Sequence, residues 1–216
     1  MEGALAVPLT SSQLDAASRL HDRMGTWSET DRALEALARR FPDFEHPAVL
    51  LKVAAVNQLY GTNLYAVARM AEHITRLMST EAGHTPDLVD EIAKLPDGER
   101  PRRHVSFASK FAHFFIDTEK FPIYDSYALR TVRNHLGQSV SAPPPTYVAF
   151  VRSLVRLKEL ARLGNTLREL DRYLWLAGLH RQWQISQDRI NVEAATLFAS
   201  SSPDVKADLG LLSEQG

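Results

Sequence analysis

The sequence predicts an all-α fold, and two observations carry that prediction. Apolar residues recur at helical spacing in almost every segment of the chain. One such run is formed by Leu64, Val67, Ala71, Ile74 and Met78. No segment shows the strict alternation of apolar and polar residues that is typical of a half-buried strand. The predicted helices lie near 11–24, 29–41, 46–60, 63–79, 86–95, 105–116, 126–136, 145–164, 166–182 and 187–200.

Three of these helices carry residues that are typical of helix starts. Ser28 and Thr30 precede the run DRALEALARRF, and side-chain oxygens of this kind accept hydrogen bonds from unpaired backbone N–H groups at a helix start. Pro47 suits the first turn of the third helix, because its missing N–H would have no partner there. Asp125 stands directly before SYALRTV and is expected to cap the seventh helix.

The third predicted helix, 46–60, is apolar on nearly all sides. Its apolar residues are Val49, Leu50, Leu51, Val53, Ala54, Val56 and Leu59. A helix of this composition is normally buried all round. We therefore expect it to run through the centre of the protein.

The stretch GQSVSAPPP, residues 137–145, is the strongest linker signal in the chain, because it combines glycine and serine with three prolines. We therefore expect N-terminal helices over 1–44, a central block over 45–137 and a C-terminal helical lobe over 138–216. The N-terminal helices are expected to pack with the C-terminal lobe.

Composition limits the classes of function. With 216 residues, 44% of them apolar, a chain of this size buries roughly 70% of its unfolded surface. Because there is no cysteine, a disulfide frame, a thiolate zinc site and a thiol nucleophile are excluded. The eight histidines form no H-E-x-x-H motif, so we expect neither a metal site nor a cofactor.

Charge and hydropathy suggest where the protein acts and with what. The start MEGALAVPLTSS lacks the basic region of a secretory signal, and no apolar stretch reaches membrane-spanning length. We therefore expect a cytoplasmic protein with no membrane partner. The net charge is −1, from 25 basic and 26 acidic residues, so any nucleic-acid contact must come from a local patch.

The stretch SFASKFAHFFIDTEKFPIYDSYALR, residues 106–130, contains the candidate chemistry. Lys110 lies on an apolar helix face, where the ordinary interpretation is a buried stem with the amine in water. Asp125, taken alone, is an ordinary N-cap. Together, an amine and a carboxylate on consecutive helices can converge on one cleft. If that cleft is partly dry, desolvation lowers the pKa of the lysine and leaves more nucleophilic amine, while the carboxylate accepts a proton or stabilises a developing cation.

This pattern, a Ser-Lys pair among small and apolar residues followed by an aspartate that begins the next helix, resembles the helix-hairpin-helix DNA glycosylases, in particular the 8-oxoguanine DNA glycosylase branch. The upstream segment VLLKVAAVNQLYGTNLYAVARMAEHI, residues 49–74, is also similar to that family. The resemblance covers about 45–137. It implies a two-lobed, all-helical fold with a DNA cleft between the lobes.

The resemblance also implies a reaction. Lys110 would attack C1′ of the damaged nucleotide to give a Schiff base, and Asp125 would assist departure of the base. β-Elimination at the Schiff base would then nick the strand, as in an AP lyase. The implied partner is double-stranded DNA containing a modified base. The implied protein is a nucleoid-associated monomer in DNA repair or phage defence.

The sequence departs from that family at two points, one of which is the interval from Lys110 to Asp125, a few residues shorter than in typical members. Where the family has a glycine-x-glycine hairpin that holds a phosphate, this chain has Ser106, Phe107 and Ala108. The substrate is therefore open between an oxidised purine and a bulky hypermodified base of the phage type. The alternative is a non-catalytic helical module that binds DNA or protein and keeps the fold without the chemistry.

Further residues are assigned to DNA contacts. The predicted DNA-binding residues are Asn57, Gln58, Tyr60, Asn63, Arg102, Arg103, His104, Ser106 and Ser109, and the predicted base pocket is formed by Phe107, Phe111, Tyr124 and Tyr127. The alternatives are a solvated charged loop at 99–104, a polar helix end before Gly61, and aromatic residues that belong to the core. A second basic run over 152–172 is mixed with acidic residues and is interpreted as an ordinary exposed helix face.

Overall fold

The fold of the chain is helical throughout the part that the structure describes. The structure is a computed structural model that describes residues 4–80, 85–95, 103–139, 141–142, 145–187 and 190–213. Within these ranges the helices are α1 (Ser11–Asp22), α2 (Gly25–Arg40), α3 (His46–Leu59), α4 (Val67–Ser79), α5 (Asp87–Ala93), α6 (Val105–Phe115), α7 (Ser126–His135), α8 (Tyr147–Leu160), α9 (Leu167–Ile185), α10 (Val192–Phe198) and α11 (Pro203–Ser213). No β-strand occurs in these ranges. The all-α prediction is therefore confirmed. None of the described helices is long and apolar enough to cross a membrane.

The predicted helix starts are confirmed where capping chemistry is local. α3 begins at His46 with Pro47 in its first turn, and α7 begins directly after Asp125, which caps it. The prediction for the second helix is wrong, because α2 already begins at Gly25. Ser28 lies inside α2 and donates its backbone N–H to the carbonyl of Met24 at 2.9 Å. Trp27, in the first turn, packs edge-on against Trp175, and this tertiary contact outweighs the local capping signal.

The prediction that the third helix runs through the centre of the protein is also wrong. Val49, Val53 and Val56 are fully buried, and they form the face that packs against α4 and α6. On the other side, Leu51 is 45% exposed and Leu59 is 42% exposed. α3 therefore buries one face although its sequence is apolar nearly all round.

The chain divides into two compact units, which are described separately. Unit 1 comprises Met1–Glu29, Asp125–Pro144 and Arg152–Gly216, and unit 2 comprises Thr30–Tyr124 and Pro145–Val151. In unit 1, α9 packs against α1, α7, α10 and α11. A Cβ atom at Gly178 of α9 would lie 2.8 Å from the backbone oxygen of Tyr127, so the close approach of α7 to α9 requires glycine.

His135 ties the N-terminal segment to unit 1. The imidazole is fully buried, with Nδ1 2.9 Å from the carbonyl oxygen of Val7 and Nε2 2.9 Å from the hydroxyl of Tyr173. A carbonyl only accepts, so Nδ1 carries the proton and Nε2 accepts from the tyrosine. Burial lowers the pKa of His135 and keeps this neutral form.

Unit 2 surrounds α6 with aromatic and aliphatic side chains. α6 packs against α3 and α5, and α4 packs against α3 and α5. The rings of Phe107, Phe111, Phe121, Tyr147 and Phe150 each expose 1% of their surface or less. Burial of an aromatic side chain of this kind stabilises a fold by about 1.5–3 kcal/mol relative to exposure. α6 is therefore a central helix of unit 2, and it carries the Ser-Lys pair.

Candidate active site

α6 is buried along most of its length, and this fixes the position of Lys110. Every residue from Phe107 to Phe115 is buried, including three with polar or charged side chains, Ser109, Lys110 and His113. Lys110 itself exposes only 7% of its surface. The sequence interpretation of a stem on apolar surface with its amine in open water therefore does not describe this lysine.

The amine of Lys110 is held one turn back along its own helix. Nζ donates to the side-chain hydroxyl of Ser106 at 2.8 Å and to its backbone oxygen at 3.4 Å. The Tyr60 ring lies nearby, with its centroid 5.6 Å from Nζ. Tyr60 is fixed in turn, because its hydroxyl donates to Asp31 Oδ1 at 2.7 Å and its ring packs on Phe114. The amine therefore lies beside a side-chain hydroxyl and an aromatic ring.

Ser106, Phe107 and Ala108 do not form a turn in the structure. They lie in the first turn of α6, with Phe107 and Ala108 buried. The preceding connection from α5 runs through residues 94–104, of which 96–102 lie outside the described residues. The role that the structure gives to Ser106 is to accept a hydrogen bond from the Lys110 amine.

The loop between α6 and α7 is fixed to the rest of unit 2 by three side chains. Ser109 accepts a hydrogen bond from the backbone N–H of Tyr124 at 2.9 Å. His113 Nδ1 lies 2.9 Å from the backbone oxygen of Phe121, and the Tyr147 hydroxyl donates to the backbone oxygen of Pro122 at 2.7 Å. The chain is therefore anchored up to the residue before Asp125. The sequence reasoning missed His113 and Tyr147, since neither residue forms part of a recognisable motif.

Asp125 is the N-cap of α7. Its Oδ1 accepts hydrogen bonds from the backbone N–H groups of Tyr127 at 2.7 Å and Ala128 at 2.8 Å. Its own backbone is extended, as an N-cap requires. The boundary between the two units falls directly before Asp125, so Lys110 belongs to unit 2 and Asp125 to unit 1. Their convergence remains a prediction.

The turn after α3 is organised by the side chain of Asn57. Its Oδ1 accepts from the Thr62 hydroxyl and from the Leu64 N–H, both at 2.8 Å, and its Nδ2 donates to the Leu64 carbonyl at 3.0 Å. Gly61 and Asn63 both have positive φ, of 56° and 54°. These left-handed residues and the Asn57 bonds delay the start of α4 to Val67, four residues after the predicted start at 63. Asn57 therefore shapes the turn.

The same turn displays side chains to solvent. Gln58 and Asn63 are exposed, and Tyr65 is 88% exposed. Tyr65 is therefore an exposed aromatic side chain beside a turn that Asn57 fixes by three side-chain hydrogen bonds. The sequence reasoning did not select Tyr65, although the polar turn around it was selected.

The basic segment before α6 is only partly described. Arg102 lies outside the described residues. Arg103 forms an ion pair with Asp90, and Asp90 also accepts from the backbone N–H groups of Tyr147 and Val148. Arg103 therefore pairs with the carboxylate that binds the start of α8. Its side chain is also 45% exposed. His104 is half-buried at the N-terminus of α6, and its backbone N–H donates to the Ala93 carbonyl.

The predicted base-pocket residues fall into two groups. Phe107 and Phe111 are buried in unit 2, with 1% and 0% of their surface exposed, in agreement with the alternative that they are core residues. Tyr124 and Tyr127 are half-buried. The Tyr124 ring packs edge-on against Phe150 at 5.1 Å, and Arg130 lies over the Tyr127 ring at 5.1 Å. A pocket lined by all four rings remains a prediction.

A second buried lysine in unit 2 was also missed. Lys52 of α3 exposes 1% of its surface, and its Nζ donates to the backbone oxygen of Asp43 at 2.6 Å. The ring centroids of Phe44 and Phe115 lie 4.2 and 5.4 Å from the amine. Burial lowers the pKa of Lys52, and the nearby Asp43 carboxylate opposes that shift. The available signal was a lysine in the middle of the apolar run VLLKVAAV.

The fold and the site define an all-α protein with a buried lysine on a central helix and a capping aspartate at the start of the next one. The family model described as HI_0787_N, N-terminal domain, matches residues 13–120, which is half of the chain. The chain therefore belongs to this family. The matched range includes Lys110 and ends before Asp125.

One relative was found among curated proteins. An uncharacterized protein of Haemophilus influenzae is 27% identical over 138 residues, which cover 60% of this chain and 66% of that protein. The similarity therefore spans just under two thirds of the relative's length. No solved structure shows a significant match to the chain.

Proposed function

We propose that the protein is a DNA glycosylase in which Lys110 is the nucleophile and Asp125 the assisting carboxylate. The observation that carries the proposal is the environment of Lys110, a lysine with 7% exposure whose amine is held by a side-chain hydroxyl beside an aromatic ring. The proposal includes the two-lobed arrangement with a DNA cleft that the resemblance to helix-hairpin-helix glycosylases implies. The substrate is an oxidised purine or a hypermodified base in double-stranded DNA.

The proposed reaction starts from the neutral amine of Lys110. The amine attacks C1′ of the target nucleotide, the glycosidic bond breaks, and the base leaves with the bonding electrons and takes up a proton. The nitrogen then loses its protons as the imine to C1′ forms and the sugar ring opens. β-Elimination from this imine breaks the bond to the 3′ phosphate, which is the lyase step.

The hydroxyl of Ser106 suits the first step. A hydroxyl accepts from an amine in either protonation state, and it can rotate to donate instead, so this hydrogen bond can be exchanged without backbone movement. Asp125 suits the departure of the base. Two backbone N–H groups at the N-terminus of α7 orient its carboxylate, and a fixed negative charge stabilises the cationic sugar that develops as the base leaves.

The turn at 57–65 supports the DNA-binding part of the proposal. A glycosylase acts on a nucleotide that has left the stack, and the gap in the duplex must be filled. A turn held by Asn57 that presents Gln58, Asn63 and Tyr65 to solvent combines amide donors with an aromatic ring. We propose that this turn contacts the duplex. The biological setting that follows is DNA repair or phage defence in the cytoplasm.

Borohydride trapping on a duplex with an abasic site tests the nucleophile. The wild-type protein is expected to form a covalent complex, because borohydride reduces the imine to a stable amine. Lys110→Gln is expected to abolish the complex. Lys120→Gln is the matched control, since Lys120 lies in the same stretch, is 63% exposed at its side chain and pairs with Asp117. Equal trapping of the Lys110→Gln variant would show that another amine reacts.

Asp125 is tested by Asp125→Ser, because serine keeps the N-cap and removes only the carboxylate. The rate of base release from a panel of modified duplexes is expected to fall about 100-fold or more, within the usual range for loss of an acid–base or charge-stabilising group. Thermal stability should change little. If the wild-type protein shows no trapping and no base release, while both variants bind DNA as the wild type does, the non-catalytic DNA-binding module replaces this proposal.

A further inference from the structure

The exposed face of α8 and the turn after it carry four basic side chains. Arg152, Arg156 and Arg162 are exposed and Lys158 is half-buried, whereas Leu154 and Leu157 on the opposite face of the helix are fully buried. At 100° per residue Arg152, Arg156 and Lys158 fall within one half of the circumference of α8, and Arg162 lies in the turn after the helix ends at Leu160. One acidic residue, Glu159, lies among them. We call these four residues the α8 basic face.

The α8 basic face is not neutralised by neighbouring carboxylates. None of its four side chains forms an ion pair or hydrogen bond within the part of the chain that the structure describes. With four basic residues and one acidic residue, the segment 152–162 has a net charge of +3, whereas the whole chain has a net charge of −1. The positive charge is therefore concentrated at this surface of unit 1.

The end of this face forms an open pocket of about 390 Å³. Its walls are formed by Val155, Lys158, Glu159, Arg162, Leu163 and Leu167. Lys158, in the last turn of α8, and Arg162, in the turn that follows the helix, line the same space, so two cations can approach one anion.

The backbone beside this pocket forms the turn that follows α8. Arg162 has a φ of 53°, a left-handed conformation that a residue with a Cβ adopts at a cost of about 1 kcal/mol. The turn is closed by hydrogen bonds from Arg162 N to Glu159 O and from Leu163 N to Lys158 O. A left-handed residue with hydrogen bonds of this kind is a common way for a helix to end, and it fixes the position of Arg162 beside the pocket.

We propose that the α8 basic face binds the phosphate backbone of nucleic acid. The proposal rests on the proposed function for the class of partner, and it adds a surface outside the catalytic residues. From Arg152 to Leu160, where α8 ends, the helix rises about 12 Å, which is the length of three to four nucleotides of one strand at about 3.4 Å each. Lysine and arginine side chains that contact phosphates position a protein on nucleic acid and do not read bases. Binding through this face is therefore independent of sequence.

The face does not have the composition of a membrane-binding helix. Such a helix exposes a broad apolar side together with its cations. On α8 the leucines opposite the cations are fully buried, and Val155, 41% exposed, is the large apolar residue exposed among them. Charge without exposed apolar surface fits a polyanion in water, and nucleic acid is the polyanion that the proposed function already requires.

The test compares two variants with the same change in charge. The first replaces all four residues of the α8 basic face by glutamine. The second replaces Arg39, Arg40, Arg76 and Lys206 by glutamine, which are also exposed but lie on other elements. Affinity for an unmodified 25-base-pair duplex is measured by fluorescence anisotropy between 50 and 200 mM salt.

The first variant is expected to bind at least tenfold more weakly than wild type at about 100 mM salt. The slope of log affinity against log salt should fall by about 0.9 for each phosphate that is no longer neutralised, or by up to about 3.6 in total. The control variant should keep the wild-type slope to within about 0.9. Equal decreases in affinity for the two variants, or wild-type binding by the first variant, would overturn the proposal. Weaker binding to anionic vesicles with unchanged binding to DNA would also overturn it.

The design separates this inference from the proposed reaction. At saturating concentrations of abasic duplex, the α8 variant is expected to be trapped by borohydride as efficiently as wild type, because Lys110 is intact. If the wild-type protein binds DNA through the α8 basic face but is not trapped, the inference about this face is retained and the proposed reaction is rejected. If the protein is trapped but its DNA affinity does not depend on the four residues, the reaction is supported and the inference about this face is rejected.

Discussion

Helices α3 and α6 each bury one lysine in unit 2, and the two amines have different partners. The Lys52 amine donates to the backbone oxygen of Asp43 at 2.6 Å and lies 4.2 Å from the centroid of the Phe44 ring. The Lys110 amine donates to the side-chain hydroxyl of Ser106 at 2.8 Å. A backbone carbonyl is fixed by the chain and only accepts, whereas a hydroxyl rotates and can donate as well. The Lys52 amine is therefore held by a fixed carbonyl, whereas the Lys110 amine is held by a hydroxyl that can rotate and, at 3.4 Å, by the backbone oxygen of the same serine.

Because of this difference, burial alone does not identify which lysine is reactive. A lysine whose pKa is lowered by burial is the usual candidate for a nucleophile, and by that criterion Lys52 qualifies. With 1% exposure and an amine between two phenylalanine rings, however, it offers a substrate no access. A nucleophilic amine must be both partly desolvated and reachable. Lys110 exposes 7% of its surface against 1% for Lys52, so it is the more accessible of the two lysines, and Lys52 provides the internal control.

Removal of the Lys52 side chain is expected to have the largest effect on stability. Lys52→Ala leaves a cavity between α3 and α6 and an unpaired carbonyl at Asp43, and the free energy of unfolding should fall by about 3 kcal/mol. Lys52→Met keeps the volume of the stem and removes the buried charge, so it should cost about 1 kcal/mol. The measurement is urea denaturation followed by far-ultraviolet circular dichroism. Wild-type stability of the alanine variant would show that Lys52 is not a structural residue.

The second-largest expected effect on stability comes from a buried histidine in unit 1, and it depends on pH. Burial, with a smaller contribution from the nearby Arg172, lowers the pKa of His21 to about 4. Between that value and the ordinary pKa of about 6.5, the unfolded chain binds a proton that the folded chain does not. Acidification through this window therefore favours unfolding. From pH 7 to pH 5, His21 alone should lower the free energy of unfolding by about 2 kcal/mol.

Tryptophan fluorescence isolates this effect, because Trp27, Trp175 and Trp183 all belong to unit 1. His21→Phe keeps a ring against Trp175 and removes the titrating group. Its unfolding should depend less on pH than that of wild type. The remaining dependence would come from His135 and His180, whose pKa values are also lowered by burial. The same pH dependence in both proteins would show that His21 is protonated in the fold.

The parts of the fold that sequence predicted well are those specified by local chemistry. Helical periodicity placed the starts of α3, α6 and α7 at His46, Val105 and Ser126, because proline, an apolar run and a capping aspartate act within one turn. α11 carries comparable signals, with Pro203 in its first turn and Val205, Leu209 and Leu212 on its buried face. It was missed although the same criteria apply to it.

The features that the sequence did not predict depend on contacts with residues outside the same helix. In the sequence, Lys52 only interrupts an apolar run. Its burial is explained by the backbone oxygen of Asp43 and the ring of Phe44, which contact its amine in the fold. Tyr147, which reaches back 25 residues to the carbonyl of Pro122, carries no signal of that bond in its own neighbourhood. The one-sided burial of α3 also depends on which helices pack against it. Composition shows that a side chain can be buried, whereas packing decides whether it is.

Lys110→Gln should have the smallest effect on stability, less than about 1 kcal/mol. Glutamine keeps an N–H donor near Ser106 and most of the stem, and the hydroxyl of Ser106 can turn to another acceptor. Denaturation followed by circular dichroism under the conditions used for Lys52 makes the two lysines directly comparable. A decrease as large as that of Lys52→Ala would mean that the Lys110 amine is needed for the fold. A stable variant that can no longer be trapped by borohydride would mean that the fold buries this amine for chemistry.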